Sequence, residues 1–396
     1  MKDNVFQVLS SGSCCGCGAC VNACPVDAIA YGEDTFGFTV PTLDNEKCIN
    51  CKKCVGVCPA LKQELSPSIK AYAGLNRNKE ILIKSSSGGI FSELALDVLS
   101  DGGVVFGATL DDSFKVRHIK IEKAEELGRI TRSKYVQSFM GDVFAQIKNE
   151  LLQGRRVLFC GTPCQASAVR NFIGQRSSER LLIVDVVCHG VPSQRFFDSY
   201  LEFLSNSSGR ELESYTFRHK TDVDNGMDWY AAYKLKGRSL KVRNWPEDSY
   251  NYLYMTSAIY RESCYECKYA TGERAGDVTL CDYWGWEKSH GEFSYRDAVS
   301  AILVNTEKGD EAVDRIIERD VLRLYPTSPQ SVRDGNGCLR EPSKRHGDRE
   351  KILSRWKNDG YAPIDADFKK RHRKQRLKYA IMRRIPKKLI YMLKKG

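Results

Sequence analysis

Two copies of one cysteine pattern lie in the first sixty residues and constrain the fold of this chain more than any other feature. Each copy has four cysteines, separated by two, two and three residues, with a proline directly after the fourth. An iron–sulfur cluster needs four thiolates, and three closely spaced cysteines can wrap it in a tight turn that a distant fourth closes. Structural zinc and disulfides are the alternatives, but zinc sites usually show paired cysteines rather than runs of four. The pattern therefore predicts electron transfer. The two copies are Cys14, Cys17, Cys20, Cys24 with Pro25, and Cys48, Cys51, Cys54, Cys58 with Pro59.

These runs resemble those of bacterial ferredoxins with two 4Fe–4S clusters, in which the fourth cysteine of each run ligates the other cluster. Gly16 and Gly18 let the first loop curl around its cluster, because glycine adopts conformations that other residues avoid. The resemblance implies an α+β ferredoxin-like domain over residues 1–64. It assigns one cluster to Cys14, Cys17, Cys20 and Cys58, and the second to Cys48, Cys51, Cys54 and Cys24.

The length and composition predict an ordinary globular protein of two or three domains. The chain has 396 residues, of which 42% are hydrophobic and 28% charged. Its first residues do not resemble a signal peptide, and no run reaches the roughly 18 apolar residues of a membrane span. A chain with 16 cysteines and no secretion signal is expected in a reducing cytoplasm.

The positive charge is confined to the C-terminal tail. Residues 365–396 hold 13 Lys and Arg against two Asp, while the remaining 48 basic and 48 acidic side chains cancel. Apolar residues recur every fourth position from Leu377 to Leu393, with an interruption at Pro386, which predicts a basic amphipathic helix over 366–396. Such a helix suits peripheral contact with an anionic membrane surface, here the inner face of the membrane. An acidic partner protein, nucleic acid and a disordered solubilising tail are the alternatives, although the neutral core argues against nucleic acid.

Between the two ends, the pattern predicts an α/β core over residues 65–365. Ser66, Pro67 and Ser68 form a linker, and apolar runs then alternate with amphipathic segments. The aromatic segment 215–254 has no evident topology. The predicted strands are 70–75, 103–109, 156–160, 181–188 and 298–304, and the predicted helices are 89–99, 141–152, one beginning at Cys164, and 307–319.

Further cysteines follow two of the predicted core strands. Cys164 comes one turn after strand 156–160, and Cys188 ends strand 181–188. If these strands are parallel neighbours, both thiols emerge at the carboxyl edge of the sheet, where α/β folds bind ligands. With the pair Cys264 and Cys267 they make a plausible third cluster site, and Cys160 lies nearby. Buried and inert cysteines are the alternative.

A serine–glycine run, 85–89, precedes the predicted helix 89–99. Serine hydroxyls can cap free amides, the glycines allow close backbone approach, and the helix dipole favours a phosphate. Because such runs also cap many helices that bind nothing, the pattern alone is weak.

The core resembles the beta subunits of coenzyme F420 hydrogenases and dehydrogenases, a family that includes plant 7-hydroxymethyl chlorophyll a reductases. The resemblance spans roughly residues 70–305 and implies an FAD, a core 4Fe–4S cluster, and hydride exchange at the flavin coupled to single-electron transfer. The matching segments are Ser86-Ser87-Gly88-Gly89-Ile90-Phe91, Ser133-Lys134-Tyr135-Val136, Gly161-Thr162-Pro163-Cys164-Gln165, Cys188-His189-Gly190-Val191-Pro192, Ser263-Cys264-Tyr265-Glu266-Cys267, Asp277, and Asp282-Tyr283-Trp284-Gly285.

The resemblance also selects residues for each role. It implies that Cys164, Cys188, Cys264 and Cys267 hold the core cluster, and that Cys15, Cys160, Cys281 and Cys338 are not ligands. The predicted flavin-binding residues are Ser86, Ser87, Gly88, Gly89, Ser133, Lys134, Tyr135, Gly161, Thr162, Pro163 and Asp282.

Three single residues have two interpretations each. His189 could donate a proton to reduced flavin or substrate, or could merely orient the Cys188 loop. Lys134 could pair with a flavin phosphate or with the reduced ring, or could be a solvated surface lysine. Asp282 could bind a flavin hydroxyl or cap a turn. His189 and Lys134 are the predicted catalytic residues.

Together these features predict an iron–sulfur flavoprotein oxidoreductase with three 4Fe–4S clusters and FAD. Its hydride carrier would be coenzyme F420 or a similar molecule, and its partner an external one-electron carrier or a redox subunit. A ferredoxin-dependent reductase of a dedicated metabolite and a non-catalytic electron-transfer subunit are the alternatives. The direction of electron flow is open, because cluster potentials span roughly −700 to +450 mV.

Overall fold

The computed structural model describes residues 4–175, 178–220 and 230–382. It confirms an N-terminal cysteine-rich unit followed by a mixed α/β core. In the N-terminal unit the antiparallel strands β1 (Ile29–Glu33) and β2 (Thr39–Leu43) form a hairpin. Three short helices accompany it: α1 Val5–Val8, α2 Ala19–Ala23 and α3 Lys53–Gly56. The apolar core of this unit is small, and Cys54 and Cys58 are themselves part of it.

The core is built on one eight-stranded sheet of order β13-β3-β12-β11-β7-β6-β4-β5. Neighbours from β4 through β6 and β7 to β11 pair in parallel, and the other pairs in the sheet are antiparallel. The strands of this sheet are β3 Lys70–Asn76, β4 Val104–Leu110, β5 Val116–Ile121, β6 Val157–Gly161, β7 Leu181–Val186, β11 Val278–Asp282, β12 Ser300–Val304 and β13 Leu322–Thr327.

Helices cover both faces of this sheet, which explains why its central strands read as continuous apolar runs. One pair of helices packs on one face of the sheet, and a second pair packs on the opposite face. The first pair is α5 (Ile90–Ser100) with α10 (Glu307–Glu318), and the second is α6 (Val143–Leu152) with α7 (Pro163–Ile173). The remaining core helices are α4 Lys79–Ile83, α8 Gln194–Asn206, α9 Ser249–Met255, α11 Pro329–Gly335 and α12 Arg349–Asp359.

The parallel pairing that was supposed for the two strands before Cys164 and Cys188 is present in the structure. Strands β6 and β7 are parallel neighbours, with Phe159 opposite Ile183, so both end at the same edge. Cys164, in the first turn of α7, and Cys188, after β7, therefore emerge side by side as predicted.

The aromatic segment, for which the sequence indicated no topology, forms a separate three-stranded antiparallel sheet. Its strands are β8 Leu212–His219, β9 Tyr230–Leu235 and β10 Lys241–Asn244. The rings of this sheet pack with those of α8 and α9, for example Phe197 on Phe217 with a centroid distance of 4.9 Å. The aromatic residues thus form a second core, distinct from those on the main sheet.

Two helices end the described chain, α13 (Ala362–Arg371) and α14 (Arg373–Met382). The predicted boundary at residue 366 falls inside α13. Leu377 and Ile381, one helical turn apart, are 62% and 53% exposed. The remaining apolar positions of the predicted tail, Ile385, Leu389 and Leu393, lie outside the described residues. In the parts of the chain that the structure describes, no helix combines the length and the apolar character needed to cross a bilayer.

Candidate functional site

The cysteines predicted to hold the first ferredoxin cluster lie together, including the distant one. Burial, followed by electrostatic repulsion from Cys14 and Cys58, raises the pKa of Cys20 to about 12. A hydrogen bond with Cys15 lowers the pKa of Cys17, but burial and repulsion from Cys20 and Cys14 raise it overall, so Cys17 belongs to the same group. We call Cys14, Cys17, Cys20 and Cys58 the first cysteine set. The Gly16 N–H donates to Cys14 Sγ at 3.4 Å, a contact of the kind that tunes cluster potentials.

The second cysteine set comprises Cys24, Cys48, Cys51 and Cys54, which line one small cavity of the N-terminal unit. Cys24 therefore lies with the second run and Cys58 with the first, the arrangement that the ferredoxin rule predicts. The Ala28 N–H donates to Cys24 Sγ at 3.2 Å. Cys51 is exposed, so this set reaches the protein surface.

The core cysteine set, Cys164, Cys188, Cys264 and Cys267, surrounds part of a much larger cavity. Burial and then the neighbouring thiols of Cys264, Cys164 and Cys267 raise the pKa of Cys188 well above its ordinary value. The four thiols of this set thus come from three separate parts of the chain and lie close together.

The donor chemistry of all three sets fits 4Fe–4S clusters, because each offers four thiols and thiolates are the ligands of such clusters. Among the described residues, no group of three or more His, Cys, Asp or Glu side chains is arranged to hold a single metal ion. Cluster thiolates bind four different irons, so they need not converge on one point.

The serine–glycine loop and the Ser133 segment, far apart in sequence, meet at the wall of the large cavity. Ser133 donates to Ser86 Oγ from its backbone N–H at 2.8 Å and from its hydroxyl at 3.1 Å. Gly89 caps α5 with φ +77°, a conformation that favours glycine. The Gly88 N–H is already bound by Ser300 Oγ at 2.8 Å, so this amide is not free for a phosphate.

Two cations from the end of β8 and the residue after it support this loop from behind. Arg218 donates to the Ser86 carbonyl at 2.8 Å, and Lys220 donates to the Ser87 carbonyl at 2.7 Å. Both side chains are buried. Their role could not be predicted from the sequence, because nothing in the spacing connects Arg218 with a residue 132 positions earlier in the chain.

The large cavity has a volume of about 400 Å³, within the usual range of cofactor sites. Lys134 lines it, and burial lowers the pKa of this lysine to about 7. Its Nζ donates to the Thr131 carbonyl at 2.6 Å. No carboxylate lies within ion-pair distance of Lys134 or Arg132 among the described residues. These two cations and the Gly89 cap fit the phosphates of a dinucleotide.

The Gly161–Pro163 turn lies between β6 and α7. Thr162 Oγ1 donates to Gln165 Oε1 at 3.0 Å and lies 3.3 Å from Cys164 Sγ. The hydroxyl thus faces the core cysteine set as well as the cavity. Cys160 and Cys281, both predicted to be non-ligands, line the cavity from the ends of β6 and β11.

Asp282 and Tyr135 join one polar group with Arg218. Arg218 donates to Asp282 Oδ2 at 3.0 Å and to the Tyr135 hydroxyl at 3.3 Å. The Tyr135 ring stacks on Tyr254, with a centroid distance of 4.2 Å and an interplanar angle of 15°. An aromatic pair and an ion pair therefore line one side of the cavity.

His189 extends into the cavity and is exposed there. A hydrogen bond with Cys338 raises the pKa of His189. Cys338, predicted to be a non-ligand, is thus a direct neighbour of a predicted catalytic residue. The sequence offered no sign of this contact, since the two residues lie in separate segments.

Cys15, which was also predicted to be a non-ligand, lies where the N-terminal unit meets the core. It lines the large cavity, and its thiol is in hydrogen-bond contact with Cys164 and Cys17. The first cysteine set and the core cysteine set are therefore separated by a single intervening thiol.

Comparison with known proteins gives two family matches. Residues 154–330 match the family described as the C terminus of the coenzyme F420 hydrogenase/dehydrogenase beta subunit, and residues 13–61 match the 4Fe-4S dicluster domain. A chain in the structure of the F420-reducing NiFe hydrogenase complex from Methanosarcina barkeri is 15% identical, with a TM-score of 0.47. That match covers 74% of this chain and 95% of the other. Among curated proteins there is no match.

Proposed function

We propose a flavin-dependent role for this chain, in which residues 154–330 match the C terminus of coenzyme F420 hydrogenase/dehydrogenase beta subunits and residues 13–61 match a 4Fe-4S dicluster domain. On this proposal the protein is an electron-transfer oxidoreductase related to that family, with FAD bound in the large cavity beside a third cluster. The supporting observation is that the serine–glycine loop, Lys134, the core cysteine set and Cys15 all line this one cavity.

The residues at one end of the cavity would hold the flavin phosphates. Lys134 and Arg132 supply positive charge, and the N-terminus of α5 at Gly89 adds the helix dipole. Arg218 and Lys220 keep the loop in place through its carbonyls. The stacked pair Tyr135 and Tyr254 offers a flat apolar surface beside the ion pair of Arg218 and Asp282.

FAD, when bound, would supply the exchange between a two-electron hydride and single electrons. His189 is placed to hold a proton at the cavity, through a ring that Cys338 orients. The hydride carrier would be coenzyme F420 or a molecule of similar chemistry.

Electrons are proposed to leave the protein from the second cysteine set and to pass to an external one-electron carrier or redox subunit. Cys51 of the second set is exposed, whereas Cys17 and Cys58 of the first set are buried. The three sets therefore run from the cavity to the surface in the order core, first, second.

The tail is proposed to contact an anionic membrane surface peripherally. Leu377 and Ile381 are exposed on consecutive turns of α14, and basic residues flank them. Flotation of the full chain with vesicles containing anionic lipid would support this, with Leu377→Ser plus Ile381→Ser as the loss variant. Equal flotation of that variant would contradict it.

The function is tested by mixing the anaerobically purified protein with reduced coenzyme F420 and an oxidised ferredoxin. Reduction of two ferredoxin equivalents for each F420 oxidised supports the proposal. Reduction of the flavin by reduced ferredoxin, without any reaction with F420, would instead favour a reductase of another metabolite. Protein without flavin and without turnover would favour a non-catalytic electron-transfer subunit.

A further inference from the structure

Arg261 is a core residue whose side chain contacts mainly the N-terminal unit. It is 4% exposed. Its guanidinium donates to the Cys14 carbonyl at 3.2 Å and to the Thr39 carbonyl at 2.6 Å. It also lies over the Phe38 ring, 5.0 Å from the centroid. One buried cation therefore holds the first cysteine loop and the β1–β2 hairpin against the core.

Gln137 completes this contact. Its Oε1 accepts from Arg261 Nη2 at 2.6 Å, and its Nε2 donates to the carbonyls of Cys15 and Gly16 at 3.0 and 3.2 Å. Ser263 adds a bond to the Cys14 carbonyl at 3.1 Å. Three consecutive carbonyls of the cysteine loop thus bind core side chains, which fixes the loop more firmly than its own short elements could.

The fit at this contact leaves no room for a side chain at Gly16. Its φ is +65°, and a Cβ atom there would lie 2.4 Å from the Thr39 carbonyl oxygen and 2.6 Å from Arg261 Nη2. The close approach brings the Cys15 thiol against Cys164. Because Arg261 lies three residues before Cys264, it also belongs to the segment that carries the core cysteine set.

A second contact follows Cys58, the distant member of the first set. The Tyr269 hydroxyl donates to the Pro59 carbonyl at 2.7 Å, and Lys268 donates to the Ala60 carbonyl at 2.7 Å. Tyr269 and Lys268 directly follow Cys267. Each end of the first set is therefore bonded to the segment that bears half of the core set.

We propose that Arg261, through Gln137 and the carbonyls of the Cys14–Gly16 loop, is the positioning residue that sets the separation between the first and core cysteine sets. The inference rests on the proposed function, since it supposes that both sets hold clusters. An electron passing between the two sets would oxidise the cluster held by one set and reduce the cluster held by the other by one electron. No bond would be made and no proton moved. Because electron transfer slows steeply with distance, a small displacement of the loop would slow it strongly.

The test compares Arg261→Lys and Gln137→Ala with Arg349→Lys in the full chain. Arg349 is a matched control: it is 3% exposed and donates twice to the Tyr260 carbonyl, beside Arg261, but no hydrogen bond joins it to residues 13–61. The readouts are iron content, spin–spin interaction between reduced clusters by electron paramagnetic resonance, and hydrogen exchange of the Cys14–Gly16 amides.

Both test variants are expected to keep the iron content of the unmodified chain. They should lose the magnetic interaction between the first and core clusters and exchange the loop amides about tenfold faster, an effect equal to about 1.4 kcal/mol. Arg349→Lys should change neither. If Arg261→Lys does not fold, Gln137→Ala decides alone.

Unchanged interaction and exchange in Gln137→Ala, or equal changes in Arg349→Lys, would overturn the positioning role. About eight irons in the unmodified chain would instead overturn the proposed core cluster, so the two failures are distinguishable.

Discussion

Arg218 Nη1 lies 3.0 Å from Asp282 Oδ2, and this ion pair closes one side of the large cavity. The same guanidinium reaches the Ser86 carbonyl, so strand β8 of the small sheet, strand β11 of the main sheet and the serine–glycine loop meet at one side chain. Since Arg218 is only 3% exposed, its geometry is fixed by these partners. This wall of the proposed flavin site therefore depends on a contact between the two sheets.

Replacing this arginine is expected to weaken flavin binding without removing iron. Arg218→Lys keeps the charge but loses the forked geometry that reaches both Asp282 and Ser86. We expect the Kd for FAD to rise at least about tenfold, the equivalent of about 1.4 kcal/mol. Fluorescence titration measures it, with Arg210→Lys, at the exposed bond to the Lys236 carbonyl, as control. Equal affinities in both variants would show that the Arg218 contacts do not support the loop.

Because Lys134 is buried, we expect the stability of the protein to depend on pH. Burial lowers the pKa of Lys134 to about 7 in the folded chain, against about 10.4 when unfolded. Between these values the unfolded chain binds the extra proton, so this group makes stability rise with pH from about 7 to about 10. Below pH 7 the lysine is protonated in both states, and its burial cost is constant. Lys134→Met should remove this part of the rise in denaturant unfolding profiles. Parallel profiles for the two proteins would contradict the burial of the charge.

The same group links flavin binding to pH. A bound phosphate favours the ammonium form, so FAD binding should take up a proton above about pH 7 and weaken as pH rises further. Calorimetry at pH 8 in two buffers of different ionisation enthalpy measures this uptake. Lys134→Met should show weaker binding and no such uptake. Unchanged uptake in the variant would assign the proton to another group.

The crossed cysteine sets predict which double variants lose the same cluster. Cys24→Ala with Cys51→Ala affects only the second set and should remove about four irons. Cys24→Ala with Cys17→Ala affects both sets and should remove about eight. Iron analysis of the two proteins gives the comparison directly. The reverse order of losses would mean that each run of four holds its own cluster.

A buried ion pair ties β7 to the segment that follows the core cysteines. Arg274 Nη2 donates to Asp185 Oδ2 at 3.1 Å, and the two side chains are 1% and 0% exposed. Arg274 Nη1 donates to the carbonyls of Tyr269 and Thr271. Arg274→Met would leave a buried carboxylate unpaired and should cost about 3–5 kcal/mol. Arg77→Ala, at the exposed pair with Asp320, should cost at most about 1 kcal/mol. Similar losses in denaturant unfolding would contradict the structural role of the buried pair.

Local patterns predicted most of the main sheet. Strands β6 and β7 are apolar on both faces, and the helices α5 and α6 show a clear 3.6-residue period. The parallel pairing of the two strands was a supposition at the level of the sequence, and the structure shows this pairing and places Cys164 and Cys188 together. These elements could be predicted because each one buries an apolar face, and the spacing of apolar residues in its own sequence reveals that face.

The contacts that the sequence did not reveal are long-range and polar. Arg218, Arg261 and Gln137 are ordinary polar residues in sequence, and only the fold shows that they bind carbonyls of distant loops. Cys15 was predicted to be a non-ligand because the family resemblance assigns the core cluster to other cysteines, and the structure places it between two cysteine sets. The topology of the aromatic segment could not be predicted for a related reason, because its rings pack on one another rather than on the main sheet.

The most direct test of the central claim is cofactor analysis of anaerobically purified protein. Iron and sulfide are counted per chain, and flavin is released by heat and identified. The account predicts about twelve irons and one FAD, as three 4Fe–4S clusters and the proposed flavin require. About eight irons without flavin would leave only the dicluster domain loaded and would contradict the core cluster and the flavin site together.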